Sequence, residues 1–177
     1  MKLYHGSQTG GIEFLQPFTS NHGKPYVYLT NNKVLATLYA YNPLTRPYGW
    51  FPYWFSKDFK NLFYDEYFKE AAYKIYSGKR GFVYEVEADL PSLDNMPWVY
   101  VSETPVKIIG CEVVEDIYTQ LLDYQSVGQI EIIPNSKIKP EIIDKIVIKE
   151  INKYGYNKNS DDEYAVFLKT HFPHLFK

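Results

Sequence analysis

Residues 27–40 read VYLTNNKVLATLYA, and this stretch decides how the first part of the chain is organised. Its first residues alternate aliphatic and aromatic side chains, which is typical of a β-strand. The apolar residues after the two asparagines recur at helical spacing, and Asn31 or Asn32 can cap a helix there. The stretch therefore predicts a strand followed at once by a helix, with Tyr28 on the strand and Tyr39 on the helix.

Further strands are predicted on both sides of this stretch. The start of the chain, MKLYHGS, is a short apolar segment that runs into His5 and Gly6 and then into turn-forming residues. Downstream, GFVYEVEADL alternates more regularly than any other segment, so we expect a strand there. Residues 98–114 predict one or two strands interrupted at Pro105, and residues 128–134 predict another.

Four further helices are predicted, three of them after the main strands. The expected ranges are residues 59–78, ended by Gly78; residues 115–125; residues 139–155, from Pro140 to Gly155; and residues 160–172, with Ser160 and Glu163 as a capping box. Strands that precede most of the helices indicate an α+β fold rather than alternating βαβ units.

The chain length of 177 residues fits one domain with room for an insertion. We expect a core over residues 1–135, an aromatic insertion at about residues 42–60, and a helical C-terminal extension over residues 136–177. The insertion contains YGWFPYWF, which fits a lid over a ligand, a small aromatic core under a long loop, or a protein interface.

Composition excludes several classes of function. The 19 Lys and Arg residues nearly balance the 21 Asp and Glu residues, which gives no general attraction to nucleic acid or to an anionic membrane. No segment is apolar enough to cross a bilayer, and the first residues lack the apolar region of a signal peptide, so we expect a cytoplasmic protein without a membrane partner.

Neither cysteine nor histidine predicts a metal site. The single cysteine, Cys111, lies in an apolar run, and we expect a small buried side chain there rather than a reactive thiol. His171 and His174 are three residues apart, but Pro173 interrupts the helical geometry between them. We therefore expect no metal.

The segments YHGS and VYLTNNKVLATLYA, in this order and at this spacing, resemble two motifs of the ADP-ribosyltransferase superfamily. The resemblance is to the branch with a histidine–tyrosine–acidic signature, which includes the poly-ADP-ribose polymerases and the rifampin-modifying transferases. It covers residues 3–40 well, residues up to about 134 loosely, and none of the helical tail. It implies a split antiparallel sheet with flanking helices.

The resemblance also implies roles in binding NAD, which is the substrate in this superfamily. His5 would bind a ribose hydroxyl of NAD, while Gly6 would present its backbone to the nicotinamide amide. Tyr28 and Tyr39 would form the walls around the nicotinamide ring, and Ser7 would line the same pocket. A separate expectation, from the chain's few arginines, is that Arg46 contacts the diphosphate.

The acidic position of the signature has several candidates in this chain. Glu103, near the end of a predicted strand, is the first, and it would act with His5 and Tyr28 in catalysis. The alternatives are Gln129, Glu131, Glu85 and Glu87. The last two share one face of a predicted strand, and such a pair more often forms the solvated face of an amphipathic strand.

Two functions follow. In the first, which the resemblance implies, the chain would transfer ADP-ribose from NAD to an acceptor that the sequence does not identify, whether protein, nucleic acid or small molecule. Alternatively, it keeps the fold without catalysis and binds a partner. Transfer of an RNA 2′-phosphate to NAD would need several basic groups for the RNA phosphates, and the predicted site offers few arginines.

Overall fold

The strand and helix predicted from residues 27–40 are both present in the computed structural model, which describes residues 1–19, 24–41 and 52–176. The strand is Pro25–Thr30 and the helix is Lys33–Tyr39. Asn32 is the N-cap, and its side chain accepts a hydrogen bond from the Leu35 amide at 2.9 Å. Of the two asparagines that the sequence allowed, the second caps the helix.

The described strands and helices are as follows, in chain order: β1 (Lys2–Ser7), β2 (Phe14–Leu15), β3 (Phe18–Thr19), β4 (Pro25–Thr30), α1 (Lys33–Tyr39), β5 (Tyr53–Phe55), β6 (Leu62–Asp65), α2 (Ala71–Tyr76), β7 (Gly81–Glu87), β8 (Ser92–Leu93), β9 (Met96–Ser102), β10 (Val106–Lys107), β11 (Gly110–Val114), α3 (Ile117–Ser126), β12 (Ile130–Ile133), α4 (Pro140–Tyr154) and α5 (Glu163–His171). Short 3-10 turns lie at Asn135–Lys137 and Pro173–Leu175. The mixture of helices and mainly antiparallel sheets confirms the α+β expectation.

The chain forms two compact units. The first consists of Met1–Asn42 and Tyr76–Gln129, and the second of Pro43–Ile75 and Ile130–Lys177. The boundary expected between residues 135 and 136 stays a prediction. None of the described helices is long and apolar enough to cross a membrane.

The first unit is built on a seven-stranded antiparallel sheet. Its order is β11-β7-β1-β4-β9-β8, with the short β3 also paired to β4, and β2 pairs separately with β10. β1 pairs with β7 along its whole length, from Lys2 opposite Glu87 to Ser7 opposite Phe82. Between the described strands β1 and β4, by contrast, the only pair is Tyr4 with Thr30. β1 and β4 are therefore joined by one described residue pair, whereas each of them pairs with its other neighbour, β7 or β9, over a longer stretch.

Each face of this sheet is covered differently. One face carries the buried side chains of Leu3, Val27, Leu29, Tyr84 and Val86, which form one cluster with Leu15 of β2 and Val106 of β10. On the other face α1 lies directly against the glycines of two strands. A Cβ on Gly6 would be 1.9 Å from the Ala36 carbonyl oxygen, and one on Gly81 would be 2.5 Å from the Ala40 carbonyl oxygen. These two glycines allow the helix to pack at backbone distance.

The second unit contains a three-stranded sheet in the order β12-β6-β5. β12 runs parallel to β6, whereas β5 is antiparallel to it. Helices α4 and α5 follow, and α4 ends as the sequence predicts, with Gly155 in the left-handed conformation (φ 69°).

The helix expected over residues 59–78 is wrong in its first half. Strand β6 occupies Leu62–Asp65, and the helical part is only Ala71–Tyr76. Leu62 and Tyr64 are buried on one face of β6, so the segment follows the two-residue period of a strand. Its many aromatic residues fit either period, which hid the strand in the sequence.

Two smaller expectations are also corrected. The N-cap of α5 is Asp162, which accepts hydrogen bonds from the Tyr164 and Ala165 amides, rather than Ser160. The Ser160 hydroxyl instead accepts from the Asn157 amide. Cys111 is exposed, not buried, because β11 is the last strand of its sheet and only Val114 of that strand is buried.

Candidate functional site

The His5 side chain joins the two strands that are barely paired. Its Nδ1 lies 2.8 Å from the backbone oxygen of Tyr28. A carbonyl oxygen can only accept a hydrogen bond, so Nδ1 carries the hydrogen. In the neutral imidazole, Nε2 is then left as a hydrogen-bond acceptor. The contact fixes both the tautomer and the position of the ring beside β4.

The charge of His5 follows from its surroundings. Burial lowers the pKa of the imidazole below its ordinary value of 6.5, and the hydrogen bond to Tyr28 opposes this shift. Near pH 7 the ring is therefore neutral. A neutral Nε2 accepts a hydrogen bond from a hydroxyl, which a charged imidazolium cannot do.

Strand alternation shows from which face each predicted residue leaves the sheet. Tyr4, the neighbour of His5, pairs with Thr30 across the β1–β4 contact, so Thr30 and Gly6 lie on one face and His5 on the other. Tyr28, two residues before Thr30, leaves from the same face as Gly6. The His5 and Tyr28 side chains therefore start from opposite faces. A ligand that contacts both side chains would have to pass between β1 and β4, whose one described pair is Tyr4 with Thr30.

Gly6 and Tyr39 are neighbours through the backbone. A Cβ on Gly6 would lie 2.7 Å from the Tyr39 carbonyl carbon, so the end of α1 is against β1 at this point. Packing of α1 alone is sufficient reason for a glycine here. Ser7, at the end of β1, accepts a hydrogen bond from the Thr9 amide at 3.1 Å. Arg46 lies outside the described residues.

Aromatic rings surround Tyr28 on its own face of the sheet. Tyr26 contacts it edge-on with ring centroids 5.9 Å apart, and Phe18 does so at 6.0 Å. Phe18 pairs with Tyr26 across β3 and β4 and is 54% exposed. Tyr28 thus belongs to a partly exposed aromatic group. Phe18 and Tyr26 were not among the predicted site residues, although the alternation of Tyr26 and Tyr28 about Val27 is visible in the sequence.

The candidates for the acidic position are widely separated. On β9, Val101 lies directly opposite Tyr28. Glu103 is exposed and directly follows the last residue of β9, Ser102. The Ser102 hydroxyl donates a hydrogen bond to the Thr104 carbonyl, so the chain turns at Glu103 and strand alternation does not define the face of its side chain.

The other candidates occupy other positions. Glu85 forms an ion pair with Lys2 at 2.7 Å, which gives it a structural partner. Glu87 is exposed at the end of β7, and Gln129 is exposed at the end of the first unit. Glu131 belongs to β12 of the second unit. Within the described parts of the chain, no group of three or more His, Cys, Asp or Glu residues could hold a metal ion.

The Tyr84 hydroxyl anchors the segment that follows β1, and Tyr84 was not predicted to have this role. Its hydroxyl donates to the Thr9 carbonyl at 2.8 Å and accepts from the Ile12 amide at 3.3 Å. The chain that leaves β1 after His5 is therefore anchored to β7. The regular alternation of residues 81–87 was a signal for the burial of Tyr84, but not for these contacts.

Comparison of the chain with protein-family models, with curated proteins and with solved structures found no significant match.

Proposed function

We propose that this chain binds NAD in the gap between β1 and β4 and transfers ADP-ribose from it to an acceptor, as in the ADP-ribosyltransferases. The observation that carries the proposal is the hydrogen bond from His5 Nδ1 to the Tyr28 carbonyl. It holds a neutral imidazole, with Nε2 as acceptor, between β1 and β4, whose one described pair is Tyr4 with Thr30. The resemblance expects a ribose-binding histidine at this position.

Specific features of the described residues support this proposal. His5 Nε2 would accept a hydrogen bond from a ribose hydroxyl, because it is the unprotonated nitrogen. The aromatic group around Tyr28 offers ring faces and edges to the nicotinamide. Gly6 and Tyr39 would supply backbone and ring on the α1 side. The expected cytoplasmic location is part of this proposal.

The chemistry would rely on positioning. When the bond between nicotinamide and ribose breaks, positive charge grows on the ribose, and a nearby carboxylate stabilises it. Glu103 is our candidate for that carboxylate, because it directly follows β9, the strand that pairs with β4 at Tyr28. It would also orient the acceptor, whose class this proposal leaves open among protein, nucleic acid and small molecule.

A second function is supported by a different observation. Directly opposite Tyr28 on β9 lies Val101, which is apolar and buried, so this strand position supplies no carboxylate for catalysis. If Glu103 does not reach the ribose, the chain binds a partner without catalysis, as a degenerate member of the fold.

The test incubates purified protein with NAD and measures the release of nicotinamide by chromatography. We expect release by the wild type, with loss in His5→Ala, Tyr28→Ala and Glu103→Gln. His174→Ala is the matched control, since this exposed histidine pairs with Asp144 in the second unit. NAD binding without release supports the partner-binding function, and absence of both release and binding contradicts the NAD proposal.

A further inference from the structure

A loop with two glycines follows the strand that carries His5. Residues 9–12 read TGGI and lie just after the end of β1. The Tyr84 hydroxyl holds both ends of this loop, since it donates to the Thr9 carbonyl at 2.8 Å and accepts from the Ile12 amide at 3.3 Å. The two glycines between them are exposed, and none of the described residues accepts a hydrogen bond from either glycine amide. The anchored loop therefore offers two backbone N–H donors.

The surroundings of the two glycines differ. A Cβ on Gly10 would lie 2.5 Å from Phe82 Cζ, so the backbone rests directly against the edge of that ring. Gly11 has a left-handed φ of 72°, and a Cβ there would meet nothing within 4 Å. The loop is thus fixed at Gly10 and open at Gly11, where a ligand can approach the backbone closely.

Arg80 lies over the same phenyl ring. Its guanidinium carbon is 5.5 Å from the centroid of Phe82. Phe82 is directly opposite Ser7, and Tyr84 is directly opposite His5, so Phe82 and His5 leave the sheet on the same face. The two pairs are two residues apart along the strands, about 7 Å. The guanidinium and the glycine loop therefore share one aromatic contact on the face of the sheet that carries His5.

The ion pair of Arg80 leaves most of its donors open. Its Nε lies 3.2 Å from Glu115 Oε2, and both side chains are more than half exposed. Within the described ranges, no residue pairs with the two terminal nitrogens, which carry all the N–H donors of the guanidinium except the one on Nε. An exposed ion pair contributes little to stability, so the fold does not require this arginine.

These donors select an anionic ligand of a particular shape. A guanidinium donates two parallel hydrogen bonds to phosphate oxygens, and glycine-rich loops bind phosphates through their backbone N–H groups. His5 Nε2, by contrast, accepts a hydrogen bond and so requires a hydroxyl. A nucleoside diphosphate carries both kinds of group, because its ribose hydroxyls lie a short distance from its two phosphates.

We propose that Arg80 and the amides of Gly10 and Gly11 bind the diphosphate of a nucleotide whose ribose hydroxyl is bound by His5. This inference rests on the proposed function and defines the ligand class of that site as nucleoside diphosphates, of which NAD is one. Tyr84 is a positioning residue for this contact, because its hydroxyl holds the loop on both sides of the glycines.

The experiment measures the binding of ADP, adenosine and pyrophosphate to the full chain by calorimetry. Adenosine lacks the phosphates and pyrophosphate lacks the ribose. We expect the wild type to bind ADP at least tenfold more tightly than either fragment, and Arg80→Gln to weaken ADP binding at least tenfold. Because adenosine has no phosphate to contact Arg80, the same variant should change its affinity less than twofold, which also shows that the variant is folded.

Two further variants separate a direct contact from an effect of charge or of the ion pair. Lys79→Gln removes the same charge from the neighbouring side chain, which is exposed and lies over the Tyr41 ring, and we expect it to weaken ADP binding less than threefold. Glu115→Gln releases the guanidinium from its carboxylate partner, and we expect ADP to bind at least as tightly as to the wild type.

The proposal is overturned if Arg80→Gln weakens ADP binding less than tenfold, or if either control variant weakens it as much as Arg80→Gln does. It is also overturned if pyrophosphate binds as tightly as ADP, since the site then takes a free anion. ADP binding that depends on Arg80, without release of nicotinamide from NAD, retains the diphosphate contact and contradicts only the transfer of ADP-ribose. A wild type that binds neither ADP nor NAD contradicts both.

Discussion

Replacing Gly6 by alanine tests the close packing of α1 on the sheet. The new Cβ would lie 1.9 Å from the Ala36 carbonyl oxygen, 2.6 Å from the Ala40 nitrogen and 2.7 Å from the Tyr39 carbonyl carbon. All three atoms belong to the backbone, so no side chain can rotate away. Restoring an ordinary contact of 3.4 Å requires α1 to move by about 1.5 Å.

The expected cost follows from this movement. Overpacking of a core costs typically 1–3 kcal/mol, and a clash with a helix backbone belongs at the upper end, about 3 kcal/mol. For a chain of this size that corresponds to a decrease in Tm of about 6–12 °C.

The assay is urea unfolding, together with hydrogen exchange of the Leu3 amide, which reports on the core of the first unit. Gly110→Ala is the matched control, because a Cβ there would meet only the Glu85 Cβ, at 3.5 Å. We expect that variant to change the free energy of unfolding by less than about 0.5 kcal/mol. A Gly6→Ala protein as stable as Gly110→Ala would refute the packing argument.

Three further predictions address other contacts. Asn32→Ala should lower the free energy of unfolding by about 1 kcal/mol, because it removes the hydrogen-bond acceptor of the Leu35 amide. Asn31→Ala should lower it less, because the Asn31 side chain is exposed and makes only a 3.4 Å contact with the Tyr100 hydroxyl. Equal effects of the two variants in urea unfolding would contradict the assignment of the cap. Tyr84→Phe should cost about 1–3 kcal/mol, since the Thr9 carbonyl and the Ile12 amide lose their partner, and an unchanged urea midpoint would argue against the anchor. His171 stacks on Phe68 with ring centroids 4.0 Å apart, and burial and the nearby Lys74 lower the pKa of its imidazole below 6.5. The unfolded state therefore binds more protons than the folded state. Stability should be full above pH 6.5 and should decrease as the pH falls from there through the folded-state pKa. His171→Phe should flatten the decrease of the urea midpoint between pH 7 and 5, and an unchanged slope would contradict this origin.

Local patterns predicted the part of the fold that depends on neighbours in sequence. The helix α1 follows from apolar spacing and a capping asparagine, and β7 follows from regular alternation. Each of these two signals involves only residues that are close to one another in sequence, so it can be read without the tertiary structure.

The failures have a common physical reason, which is that they depend on distant parts of the chain. Segment 62–65 becomes a strand because it pairs with β5 and β12. Cys111 is exposed because β11 is the last strand in the sheet order. Neither the partner of a strand nor its place in a sheet is encoded in its own residues.

The candidate site shows the same division. The sequence placed His5, Gly6, Tyr28 and Tyr39 on the correct strands and helix. It could not predict that the imidazole bonds to the backbone of a residue 23 positions away, or that Gly6 lies under α1. Those contacts follow from the register of β1 and β4, which only the folded chain defines.

Calorimetric titration of NAD, up to millimolar concentration, tests the central claim most directly when the wild type is compared with His5→Ala. We predict saturable binding by the wild type and an affinity about tenfold weaker in the variant, equivalent to ~1.4 kcal/mol for the lost acceptor. Absence of binding heat in the wild type, or equal affinities in the two proteins, would contradict a nucleotide site at His5.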